Sequence, residues 1–161
     1  MDSETFEFTT DSPDETRAIG EAIGRLLLAG DIILLRGPLG AGKTCLTQGI
    51  ALGLGIQEAT PSPTFMLARE YHGRLPLYHI DLYRLAFQEI SELGLDEYLY
   101  GQGVSAVEWA DKDPELFTTG HLSVEIAYSG DSARRFRLSA QGERSSRLKH
   151  DLQRQISKEN S

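Results

Sequence analysis

Ile32-Ile33-Leu34-Leu35-Arg36-Gly37-Pro38-Leu39-Gly40-Ala41-Gly42-Lys43-Thr44 is the stretch on which the reading of this chain turns. Ile32 to Leu35 form a short, continuous apolar run, the pattern of a strand covered on both faces of a mostly parallel sheet. Gly37 to Thr44 satisfy G-x-x-x-x-G-K-[ST], the phosphate-binding loop that joins a strand to a helix. Lys43 to about Leu54 then supplies good helix formers, with Gly53 and Gly55 marking the end.

The chemistry of that motif follows from its residue types. Glycines let the backbone curl until consecutive N–H groups point at phosphate oxygens, and the helix N-terminus adds partial positive charge. Gly37, Leu39, Gly40, Ala41, Gly42, Lys43, Thr44 and the adjoining Cys45 make up the candidate nucleotide-binding stretch. Lys43 is expected to reach the β- and γ-phosphates and the Thr44 hydroxyl to coordinate magnesium. The side chain of Cys45, the one cysteine, reads as buried packing.

A magnesium-directed acid belongs at the end of a neighbouring apolar strand. Two residues qualify: Asp81, which closes Leu77-Tyr78-His79-Ile80, and Glu108, which closes Val104-Ser105-Ala106-Val107. Each stands where open α/β sheets bind ligands, and both are expected to function. His79 shares a strand face with Asp81 and ranks below it, since a single histidine on a strand is more often structural. Thr64, after Ser62-Pro63, lies either in a γ-phosphate-sensing switch loop or in a plain turn. Trp109, the only tryptophan, either covers the nucleotide or packs in the core.

Outward from the motif, Ser12-Pro13-Asp14-Glu15 reads as a capped helix start, and the helix should run to about Ala29 with Ile19, Ile23, Leu26 and Leu27 on one side. Phe65–Tyr71 and Leu75–Ile80 suggest an antiparallel hairpin, and Leu122–Tyr128 with Arg135–Leu138 a second. Phe87–Leu93 reads as a short helix, and the two prolines in 59–63 require a loop. The expected fold is α/β, a P-loop NTPase-like three-layer structure with a central mixed, mainly parallel sheet. Residues 1–140 form the nucleotide-binding domain in this reading, and 141–161 a polar C-terminal tail, a frayed helix or disordered.

Bulk properties narrow the function. The 161 residues suit one domain, and 40% hydrophobic with 25% charged residues is ordinary globular composition. No secretory signal or membrane-length apolar run is read, so a cytoplasmic protein is expected. The net charge of −8 argues against direct nucleic-acid binding, and any RNA would be carried by a partner. Positive charge collects late, in Arg134-Arg135-Phe136-Arg137 and at Arg144, Arg147, Lys149 and Arg154.

Four blocks together, Gly37–Thr44, Ser62-Pro63-Thr64-Phe65, His79-Ile80-Asp81-Leu82-Tyr83-Arg84 and Glu108-Trp109-Ala110, resemble the bacterial TsaE (YjeE) family over roughly residues 5–140. The resemblance implies an ATP- and Mg2+-dependent ATPase. It would work with the TsaD and TsaB proteins to install threonylcarbamoyl on the adenosine beside the anticodon of certain tRNAs, meeting tRNA only through the complex. It makes Lys43 and Thr44 the phosphate and magnesium contacts, Glu108 a magnesium ligand, Asp81 a catalytic or metal-linked acid, Thr64 part of a switch-like loop and Trp109 a neighbour of the nucleotide. It also places adenine near the N-terminal segment and the late strands, which makes Thr10 and Arg135 candidates. Pro38 and Ala110 depart from the residues common in the family but leave the ligand-bearing side chains intact.

Two other classes compete. A GTPase would need Asn/Thr-Lys-x-Asp, and Asp111-Lys112-Asp113-Pro114 lacks its first residue and its final acid. A small-molecule kinase shares the loop and the size. Such kinases usually need an arginine-rich lid, which Arg84 and Arg134–Arg137 could supply in principle, but no clear lid segment stands between strands.

Overall fold

The computed structural model describes residues 5–38, 42–57, 68–81, 102–108 and 120–159. Within them the order is β1 (Phe6–Thr10), α1 (Pro13–Leu26), β2 (Ile32–Arg36), α2 (Lys43–Gly53), β3 (Ala68–Tyr71), β4 (Leu77–Asp81), β5 (Val104–Glu108), β6 (His121–Tyr128), β7 (Arg134–Gln141) and α3 (Glu143–Glu159). The strands form one sheet in the order β1-β7-β6-β2-β5-β4-β3. Its centre, β6-β2-β5-β4, is parallel, and the flanking pairs β3/β4, β6/β7 and β1/β7 are antiparallel.

Alternation along the strands sorts the core. Ile33, Leu35, Ala106 and Val124 turn to the face that meets Ile23 within α1 and Leu27 just after it, Leu46 and Ile50 of α2, and Leu152 of α3. Ile32, Leu34, Ile80 and Val107 turn the other way and are also buried. The middle of the sheet is thus covered on both faces, as an α/β layer structure requires.

α1 starts as its residues dictate. The Ser12 hydroxyl accepts from Glu15 N at 3.2 Å, Pro13 takes the first turn, and Glu15 Oε2 accepts from Asp11 N at 2.6 Å. The helix stops at Leu26, short of the expected Ala29, because Leu27 is extended and Leu28 N donates to Asp31 Oδ2 at 2.8 Å. α1 and α2 then meet along glycines: a Cβ on Gly20 would lie 2.3 Å from Leu46 O, on Gly24 2.3 Å from Ile50 O, on Gly49 2.1 Å from Arg17 O, and on Gly53 2.3 Å from Glu21 O. The two backbones touch with no side chain between them.

Two elements differ from the sequence reading. Residues 6–10 form β1, paired with β7 through Phe6↔Leu138, Phe8↔Phe136 and Thr10↔Arg134, with the Phe8 and Phe136 rings stacked at 4.9 Å. Residues 143–159 are helical, one of the two expected forms, but the helix packs on the core rather than forming a polar tail: Leu148, Leu152 and Ile156 recur every four residues and are buried. Phe87–Leu93, Thr64 and residues 65–67 of the Phe65–Tyr71 segment lie outside the described residues. Among those described, no helix is long and apolar enough to cross a membrane.

α3 is tied to the turn before β2. Arg144 donates to Asp31 through Nε at 3.0 Å and Nη2 at 2.8 Å, and its Nη2 also donates to Leu26 O at 2.8 Å. Asp31 is buried, so removing its carboxylate strands the Leu28 N–H and takes the ionic partner from the guanidinium, which keeps its bond to Leu26 O. Asp31→Ala is expected to cost about 2 kcal/mol, a fall in Tm of about 4–8 °C. Asp31→Asn, which can still accept from Leu28 N, should lose less. Thermal unfolding of the two variants checks this; equal losses would show that Leu28 contributes nothing.

Candidate functional site

α2 opens on Gly42, whose φ of 113° is a left-handed conformation that residues with a side chain rarely adopt. No side chain caps this helix, and its first turn carries no acid. Leu46 N makes the first bond back to Gly42 O, at 2.9 Å. The start of such a helix, with its N–H groups and partial positive charge, is the arrangement that receives an anion. Leu39, Gly40 and Ala41 lie outside the described residues; Gly37 and Gly42 bracket them.

Lys43 is buried at 5% exposure, with Nζ donating to Gly37 O at 2.9 Å. Glu108, 4% exposed, places Oε1 3.9 Å from that Nζ. Its Oε2 lies 2.6 Å from Nε2 of His79, which is completely buried. The sheet register explains the assembly: Leu35 is level with Glu108 on β5, and Glu108 with Asp81 on β4. Three parallel strands therefore end side by side next to the loop, and the two acids named from the sequence occupy adjacent register positions. Thr44, in the first turn of α2, is half-buried.

These residues suit magnesium and a polyphosphate. A helix N-terminus and the lysine match phosphate oxygens, while a carboxylate and a threonine hydroxyl are the hard oxygen donors that magnesium takes. Cys45 is half-buried, and its Sγ lies 3.7 Å from Arg17 Nη1. Hydrogen bonding to Asp14 raises the already high proton affinity of Arg17.

A second group gathers beside Gly42. Thr10 is buried and its Oγ1 lies 2.8 Å from Thr16 Oγ1. A Cβ on Gly42 would sit 3.9 Å from both Arg134 Cγ and Thr16 Cγ2. Arg134 also stacks over Tyr128 at 4.7 Å. Arg135 is exposed and alternates to the opposite face from buried Phe136, so the neighbour of the loop is Arg134. The alternation of Phe136 and Leu138 carried that signal in the sequence. Trp109 lies outside the described residues.

The chain is similar to several known proteins. A family model described as threonylcarbamoyl adenosine biosynthesis protein TsaE matches residues 10–136. The tRNA threonylcarbamoyladenosine biosynthesis protein TsaE of Bacillus subtilis (strain 168) is 44% identical over 149 residues, covering 92% of this chain and 94% of that protein. The protein of the same name from Treponema pallidum (strain Nichols) is 50% identical over 102 residues, covering 63% and 76%. The crystal structure of Bacillus subtilis YdiB superposes with a TM-score of 0.85 at 39% identity, covering 97% of this chain and 99% of that one.

Proposed function

Given that the chain belongs to the TsaE family of threonylcarbamoyl adenosine biosynthesis proteins, we propose that it is a cytoplasmic, magnesium-dependent ATPase that acts with TsaD and TsaB. tRNA is met through that complex, in keeping with the net charge of −8. The observation that carries this reading is the uncapped N-terminus of α2, with Lys43 and Glu108 buried and 3.9 Å apart beside it.

The loop binds and orients the triphosphate, and the nearly buried site excludes water from the charges that hold it. Lys43 lies against the β- and γ-phosphates. Thr44 and Glu108 hold the metal, with Asp81 in the adjacent register position as the second acid. Magnesium, when bound, neutralises the charge developing on the transferred phosphoryl oxygens. Thr64 and Trp109 complete the site as switch and nucleotide neighbour in this reading, with Thr10 and Arg134 toward the base and Arg135 on the far face.

The test is ATP hydrolysis by the purified chain, alone and with TsaD and TsaB, with tRNA threonylcarbamoylation followed in the same reactions. Slow, magnesium-dependent hydrolysis alone and multiple-turnover modification with the partners are expected. Partner-independent phosphate transfer to a metabolite would instead make the protein a kinase.

A further inference from the structure

His79 has two ring nitrogens in unlike surroundings. Nε2 lies 2.6 Å from Glu108 Oε2. Nδ1 is buried without a hydrogen-bond partner among the described residues. A neutral imidazole carries its proton on one nitrogen only. A proton on Nδ1 would bury an unpaired donor and set the Nε2 lone pair against a carboxylate oxygen. A proton on Nε2 gives a charge-assisted bond to Glu108 and leaves only a bare lone pair at Nδ1, the cheaper defect. The ring therefore donates to Glu108.

That bond has a directional consequence. With Oε2 committed to His79, the carboxylate cannot rotate freely, and Oε1 stays on the side of Lys43 and the loop. We propose that His79 is a positioning residue: it orients Glu108 so that one oxygen is presented to the magnesium that accompanies the nucleotide. The inference rests on the ATPase reading and names the group that makes its metal ligand effective. Partners that orient metal ligands in this way affect metal affinity by about 10–100-fold.

Three measurements test it. His79→Leu fills the buried space but donates nothing, whereas the side-chain amide of His79→Gln reaches the Nε2 position and donates. In calorimetric titrations with ADP, His79→Leu is expected to raise the magnesium concentration required for tight binding by about 10–100-fold, with binding in EDTA unchanged. His79→Gln should recover most of the loss, and 15N spectra of the imidazole in the wild-type protein should show the Nε2–H tautomer. A leucine variant with the wild-type magnesium requirement, leucine and glutamine variants equally impaired, or an Nδ1–H tautomer would each overturn the inference. The tautomer measurement decides the matter even if a variant fails to fold. Wild-type protein that bound no nucleotide would overturn the ATPase reading and this inference with it, whereas the outcomes above overturn the inference alone.

Discussion

Lys43→Ala is expected to slow ATP hydrolysis by about 10²- to 10³-fold while the protein stays folded. The ammonium is the cation built into the loop itself, 2.9 Å from Gly37 O and 3.9 Å from Glu108 Oε1. Charge that develops on the phosphoryl oxygens in the transition state would lose this preorganised partner in a site from which water is largely excluded. Folding should survive for two reasons. Alanine is the best helix former at the first position of α2. Glu108 also keeps its bond to His79, so no carboxylate is left wholly unpaired. Steady-state phosphate release beside a melting curve checks both halves. Hydrolysis at the wild-type rate would remove Lys43 from the mechanism and the ATPase assignment with it.

Gly49→Ala should produce the largest loss of stability, at least about 3 kcal/mol, or a fall in Tm of about 6–12 °C. Helix propensity alone predicts the opposite sign, because alanine is favoured over glycine by about 1 kcal/mol inside a helix. The contact decides. The new Cβ would lie 2.1 Å from Arg17 O and 2.9 Å from Gly20 Cα, both backbone atoms that no rotamer change can move away. α1 would have to lift off α2, opening the core around Ile23 and Leu46. Because α2 carries Lys43 and Thr44, nucleotide binding should weaken along with stability. Thermal unfolding of the variant is the check, and an unchanged or raised Tm would show that the helices separate at little cost.

Local signals carried much of the fold. The apolar run at 32–35 and the glycine motif after it need only their own neighbours to be read, and β2 and α2 fall within a residue of the expected bounds. Ser12 and Glu15 announce α1 in the same way. What escaped depends on partners distant in the chain. Phe6 and Phe8 alternate with polar residues, yet that run of five means little until β7 lies beside it. Leu148, Leu152 and Ile156 keep a strict spacing of four in a stretch whose polar composition hid it. Gly20 and Gly24, like Gly49 and Gly53, are four apart, but nothing in either helix says that it faces the other.

The site divides along the same line. Lys43, Glu108 and Asp81 could be named because motif and strand-end position identify such residues one at a time. The bond from His79 to Glu108 joins two strands and follows from their register, which no single segment contains. Arg134 was legible through the alternation of Phe136 and Leu138, which sends it toward the loop and Arg135 away.

The pairing of β1 with β7 also orders events during synthesis. Residues 6–10 emerge from the ribosome more than 120 residues ahead of their hydrogen-bonding partners, residues 134–138. At typical elongation rates the wait is roughly ten seconds. Throughout it Phe8 lacks the stacked Phe136, and β1 lacks the strand it pairs with. Unpaired strand edges and exposed aromatic residues invite association with other chains. A nascent chain that has already made its whole phosphate-binding loop is therefore still unprotected, and a stalled or prematurely released one is a substrate for chaperones and proteases until the β6–β7 hairpin arrives.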